Sequence, residues 1–307
     1  MPSTQARTHA GGQATDNPKL GVAPASPRLH ARLALNFERS AAIERTLLSA
    51  TVQEPPLRVI RAFQLPDGAA LVHLHNVSGG LLGGDTLELL LRVGPAAAAQ
   101  LTTTGATRIY RPRAGATPAT QLNDFVVEEN GLLEYVPDPL IPYRGSRWEQ
   151  TTSIRLGRGA GLFWWEVVAP GREANGENFD YEYLAWRTDL TIADRLVAAE
   201  RVRIEPARLR LDAPGRLARH RYVVTFLICR EGLTTDFWGA AEERLREVAG
   251  GLDDGAAWGV STLVAHGLIV RCLARSGVAI QSGLRSVWRA AKEMIYGREA
   301  VWPRKVN

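Results

Sequence analysis

The chain has 307 residues, 45% hydrophobic and 22% charged, an ordinary globular balance that can bury a sizeable core in one or two domains. A net charge of +5 and a pI near 9.5 invite a nucleic-acid reading. The basic residues are almost all arginines, however, scattered singly along the sequence, which suits an acidic protein partner better and leaves nucleic acid unexpected. Cys229 and Cys272 lie in apolar runs and show no metal or disulfide spacing. No apolar run approaches the roughly 20 residues of a membrane span, and the N-terminus lacks a signal-peptide core, so the expected location is cytoplasmic, away from membranes.

Residues 1–28 are rich in Pro, Gly, Ala, Ser and Thr without periodicity and read as a disordered extension; residues 29–307 read as a single β-rich domain. The first strong signal is Ser78-Gly79-Gly80-Leu81-Leu82-Gly83-Gly84-Asp85. A strand-like run, Leu71 to Val77, precedes it, and Thr86 to Val93 alternates after it, so the two Gly-Gly pairs predict a tight hairpin or corner. A phosphate cradle does not fit. No Lys-Ser/Thr follows the glycines, and the next segment alternates like a strand rather than a helix.

Further short strands are expected at 100–104, 107–111, 120–128, 132–136, 148–156, 162–169, 181–190, 199–204 and 222–229, divided by turns such as Glu129-Asn130-Gly131. The fold class is mainly β: an irregular sandwich or solenoid-like stack of short strands, with no fixed repeat length. Two helices follow near the C-terminus. One runs from Phe237 to Gly250, capped by Thr235 or Asp236; the other carries Leu284, Val287, Trp288, Ala291 and Ile295, capped by Ser282 and ended by Gly297. Strands around Gly267 separate them.

Catalytic constellations are sparse. His73 and His75 share a strand face without a third ligand at a recognisable spacing, and Ser78 lacks a nucleophile elbow. More informative are two glutamates on apolar faces: Glu134 with Leu132 and Val136, and Glu166 with Leu162, Trp164 and Val168. If those faces are interior, each carboxylate must be paired, hydrogen-bonded, protonated or set in a wet cavity. Structural pairing with arginine is one reading and a polar path through a β protein is another. A third is a carbohydrate-active protein with Glu134 and Glu166 as acid and base, and Trp164 and Trp165 stacking on sugar.

Three groups of residues resemble the signatures of the urease accessory protein UreD family, also called UreH. The first is the Ser78–Asp85 run together with Leu101-Thr102-Thr103-Thr104-Gly105-Ala106-Thr107-Arg108-Ile109-Tyr110-Arg111. The second is Leu133-Glu134-Tyr135-Val136-Pro137. The third is Trp165-Glu166 with Gly171-Arg172-Glu173-Ala174-Asn175-Gly176-Glu177. Pro139 stands where the family often carries an acid, and Asn178 moves Phe179 one place further from Glu177. The resemblance implies a non-catalytic factor, mostly β, with no tightly bound cofactor. Such a factor binds the helical partner UreF and, through it, the nickel-carrying GTPase UreG, in a two-fold assembly. That assembly docks on the apo-urease subunits so that Ni²⁺ reaches the active site, and GTP belongs to UreG alone. The segment from Gly259 to Ile295 is the expected UreF contact. Asp85, Glu134, Glu166 and Glu177 are expected to line a transient nickel path balanced by Arg172, because oxygen ligands hold Ni²⁺ loosely enough to release it.

Overall fold

The computed structural model describes residues 29–252 and 255–303; the extension read at residues 1–28 lies outside them. A long antiparallel hairpin comes first, β1 (His30–Ser40) with β2 (Arg45–Glu54). Alternation in β1 buries Ala31, Leu33, Leu35 and Phe37 on one face. The short β3 (Leu57–Arg58) and β4 (Ala62–Gln64) pair with β5 (Ala70–Asn76).

From β5 the chain winds between two sheets. It passes through β6 (Thr86–Val93), β7 (Ala98–Thr103), β8 (Thr107–Ile109), β9 (Ala119–Val127), β10 (Leu132–Tyr135), β11 (Leu140–Pro142), β12 (Arg147–Leu156), β13 (Gly161–Val168) and β14 (Tyr183–Ile192). Then β15 (Arg195–Ile204) folds back on β14 and is followed by β16 (Tyr222–Arg230), α1 (Thr235–Gly250), β17 (Ala256–Thr262), β18 (Gly267–Ala274) and α2 (Gly277–Tyr296). A seven-stranded sheet has the order β15-β14-β12-β9-β6-β1-β2. The spine of an eleven-stranded sheet is β17-β18-β16-β13-β10-β7-β5-β3, with β4, β8 and β11 attached beside it.

Both sheets are parallel in the middle, where β6, β9, β12 and β14 stack in one and β5, β7, β10 and β13 in the other. Each coil of chain therefore supplies one strand to each sheet, as in a β-solenoid. Unequal loops between the coils hide any fixed repeat in the sequence. One face of the eleven-stranded sheet packs on its partner sheet and the other on α1 and α2, so β13 is buried on both sides. That double burial explains its unbroken run Leu162-Phe163-Trp164-Trp165.

Both helices start earlier than the sequence suggested. Thr234 caps α1, its side chain accepting from the Phe237 amide, and Ser276 caps α2 by accepting from Ala279. The first turn of α2 already buries Ala279 and Ile280, extending the apolar stripe upstream of Ser282. Gly283 lies inside the helix because the Trp258 ring occupies the space a Cβ would need, 2.2 Å away.

Candidate functional site

The glycine-rich run is a corner carrying the chain from one sheet to the other, since β5 and β6 belong to different sheets. The two halves of the first signature pack on each other there. Leu81 and Tyr110 form a bridge around Ile109, with Leu81 N donating to Arg108 O and Tyr110 N to Leu81 O, both at 2.8 Å. Arg108 and the Tyr110 hydroxyl both donate to the Gly79 carbonyl. Gly80 permits this approach; a Cβ there would stand 2.5 Å from Arg108 O and 2.6 Å from the Tyr110 ring. Gly83 and Gly84 complete the corner, and Asp85 closes it by accepting from the Leu82 amide at 2.8 Å.

The third signature abuts the same end. Tyr110 meets Tyr143 edge-on, and the Arg172 guanidinium lies 4.1 Å over the Tyr143 ring. Arg172 grips the buried Glu177, with Nε donating to Oε2 at 2.9 Å, and this pairing holds the Glu177 carboxyl below its ordinary range. Gly176 ends the short 3₁₀ turn Glu173–Asn175, and Arg111 lies against Gly145. These residues form one structural cap.

The four expected path carboxylates are not brought together. Asp85 is bonded within its turn and Glu177 to Arg172. Glu134 faces the helices, where the fully buried Lys292 donates to Oε1 at 2.7 Å and Trp288 Nε1 to Oε2 at 2.9 Å. Burial pushes the Glu134 carboxyl up against the attraction of Lys292. Glu166 instead shares the inter-sheet face with Leu162 and Trp164. Glu134 and Glu166 thus project from opposite faces of one sheet and cannot flank a single glycosidic bond. Trp164 and Trp165 are both buried, Trp165 against Trp288 and Trp302, so neither presents a ring to sugar. The carbohydrate reading is overturned on both counts. His73 and His75 are half-buried, and among the described residues no three His, Cys, Asp or Glu side chains converge on a metal-sized site.

Glu166 belongs to a feature that single strands do not reveal. Leu89, Asn123, Thr152, Thr188 and Glu200 are register partners across β6, β9, β12, β14 and β15. In the eleven-stranded sheet Glu166, Thr225 and Arg271 are register partners across β13, β16 and β18. Together they place one polar layer inside the sandwich, dividing the inter-sheet core into two apolar clusters. At one end a cavity of about 230 Å³ reaches from Gly79, Gly80 and residues 103–108 in to Gln121 and Tyr135. Gln121 bonds Asn123 and Asn123 bonds Thr152, each at 3.0 Å, while Gln150 donates to Glu166. At the other end Thr225 and Arg271 reach Glu200 Oε1 at 3.3 and 2.9 Å.

The layer is polar beyond what internal bonding satisfies. Thr188 Oγ1 and Glu200 Oε2 are buried without a hydrogen-bond partner, an arrangement that favours water or a cation between the sheets. Burial raises the Glu166 carboxyl to about 8; the nearby Glu200 charge adds to the rise and the Gln150 bond opposes it. Sequence reasoning found Glu166 and missed Gln121, Asn123, Gln150, Thr152, Thr188 and Glu200. Their signal was available as polar residues on otherwise apolar strand faces, but it becomes a layer only once register is known.

Fold and site define a two-sheet β-solenoid scaffold with a polar seam through its core. The UreD urease accessory protein family model matches residues 29–307, and the chain belongs to that family, which gives it a role in urease maturation. It is 40% identical over 281 residues to a urease accessory protein UreD of Herpetosiphon aurantiacus, covering 91% of this chain and 97% of that one. The UreD of Pseudomonas aeruginosa is 33% identical (91% and 95% covered), and that of a Bacillus strain 30% identical (85% and 94%). No described helix is long and apolar enough to cross a membrane.

Proposed function

We propose that this chain is a non-catalytic urease maturation factor that lets Ni²⁺ cross its interior along the polar seam to apo-urease. In this reading it works with a UreF-type helical partner and the GTPase UreG, the GTP being bound and hydrolysed by UreG. The observation that carries it is the line from the cavity at Gly79 and Thr107 through Gln121, Asn123, Thr152 and Glu166 to Glu200, with buried oxygens left unbonded along it.

The chemistry suits transit. Ni²⁺ binds imidazole and thiolate more firmly than oxygen, so hydroxyls, amides and two carboxylates give a shallow well. Glu166 adds a second brake: near neutral pH it carries a proton that an arriving cation must displace, which keeps residence short. Of the four acids first expected on the path, Glu166 is retained and Glu200 joins it. Asp85, Glu134 and Glu177 hold the frame around it.

Complementation of a urease operon lacking its own UreD tests this. The wild-type chain should restore urease activity and co-purify UreF and the structural subunits, while the isolated chain hydrolyses no urea. Glu166→Gln with Glu200→Gln should keep the co-purified complex and lose most activation. Full activation by that double variant rules out the route.

A further inference from the structure

The arginines are densest in one stretch of the sequence, which the fold lays along one edge of the sandwich. Between residues 194 and 221, eight arginines meet four acids, Asp194, Glu200, Glu205 and Asp212, and one of the arginines, Arg221, is held by Glu173 at 2.8 Å. This segment is edge strand β15 and the turns that follow it. Carboxylates at this edge are shared: Arg203 and Arg208 bind Glu205, and Arg187 and Arg201 bind Asp189 on the neighbouring strand β14. Arg208 and Arg210 are more than four-fifths exposed.

The polar seam ends at this same edge. Arg271, on β18 of the eleven-stranded sheet and in register with Thr225, meets Glu200 of β15 at 2.9 Å. The Arg271 side chain is 59% exposed and that of Glu200 only 10%, so the guanidinium lies between solvent and the carboxylate. A cation moving along the seam meets its last carboxylate already neutralised, with a fence of positive charge outside. As it stands, this edge opposes cation exit.

We propose that the Arg271–Glu200 pair is a latch on the seam, and that a carboxylate-rich protein surface docking on the surrounding arginines opens it. Incoming carboxylates neutralise the fence and offer Arg271 a competing partner, which frees Glu200 for the cation. The occupant is an acidic protein rather than a nucleic acid for two reasons. Arginines at this edge already hold a carboxylate by N–H···O bonds, Arg187 and Arg201 both donating to Asp189 at 3.2 and 2.6 Å. The interspersed acids there would also repel a continuous phosphate backbone. The latch rests on the seam being a cation route, whereas the docking surface rests on charge alone.

Equilibrium dialysis of ⁶³Ni²⁺ against the full chain, without other polyanions, separates latch from route. Glu166→Gln should remove a bound ion. Arg271→Gln should tighten that same ion by about tenfold or more, since it deletes the unit charge that neutralises Glu200 at 2.9 Å. Adding Glu200→Gln to Arg271→Gln should cancel the gain. If Glu166→Gln loses the ion while Arg271→Gln leaves affinity unchanged, the latch is wrong and the route stands. If no variant shows a Glu166-dependent ion, the route itself fails. For docking, a labelled oligoglutamate peptide followed by anisotropy in metal-free buffer should bind the wild type. It should bind Arg208→Glu/Arg210→Glu about tenfold more weakly or worse, and shift the ¹⁵Nε resonance of Arg271. Absent binding, indifference to charge reversal, an unmoved Arg271 resonance, or tighter binding of duplex DNA at the same salt overturns the proposal.

Discussion

Replacing Glu166 with glutamine should stabilise the protein, and by an amount that grows with pH. The folded carboxyl titrates at about 8, against an ordinary 4.5. Between those values the native state holds more protons than the unfolded chain, so stability falls as pH rises through the window. From these two values the penalty is about 1.4 kcal/mol at pH 5.5, about 3 kcal/mol at pH 7 and about 4 kcal/mol at pH 8, as a ceiling. The neutral amide keeps an acceptor for Gln150 and removes the titration. Urea unfolding of both proteins at those three pH values measures the difference, since the substitution alters only Glu166 and the groups its charge touches, Glu200 chief among them. A gap in midpoint that widens with pH is expected. Parallel curves would mean that Glu166 is solvated or paired well enough to ionise freely, and the reasoning about a costly carboxylate in the seam would be refuted.

The other carboxylates should respond differently. Lys292→Met strands the buried Glu134 with Trp288 alone and should cost about 3–5 kcal/mol; adding Glu134→Gln should recover most of it, as a double-mutant cycle by denaturation would show. Arg172→Ala should lower the melting temperature at pH 7 more than at pH 3.5, since a carboxyl held below its ordinary value stabilises only above that value and loses its contribution as pH falls. Gly80→Ala places a Cβ against Arg108 O and the Tyr110 ring, and should cost about 1–3 kcal/mol in the same unfolding assay.

How much of this was legible in the sequence depends on which interactions were local. Strand alternation placed β6, β9, β10, β12 and β16 to within a residue or two, because each has at least one face that packs and period two survives in the sequence. In β15 the expected start at Ala199 fell four residues late: Arg195 and Leu196 are exposed at a sheet edge and carry no burial signal. The Gly-Gly pairs gave a sharp reversal but not its destination, since a hairpin and a sheet-to-sheet corner make the same local demand on the backbone. Glu134 and Glu166 were recognised as misplaced acids for a sound reason, burial on apolar faces. What alternation could not supply was which side of a shared sheet each faced, because β10 and β13 are buried on both sides.

The same limit explains the seam. Asn123, Thr152 and Thr188 are individually unremarkable polar residues in strands, each costing little to bury if bonded. Their placement at one register level is a property of the coil, and loops of unequal length between coils erase it from any one-dimensional pattern. An interior designed only for stability would fill that level with apolar side chains, as Leu89 does at the cavity end and as Leu91, Phe125, Ile154 and Leu190 do one layer away. Four adjacent strands instead carry amide, hydroxyl and carboxylate at that level, and two of those oxygens have no protein partner, so polar groups are buried where apolar ones would pack. Such a deviation from local consistency is expected where a fold serves function rather than stability, and it is the observation from which the proposed cation route is argued.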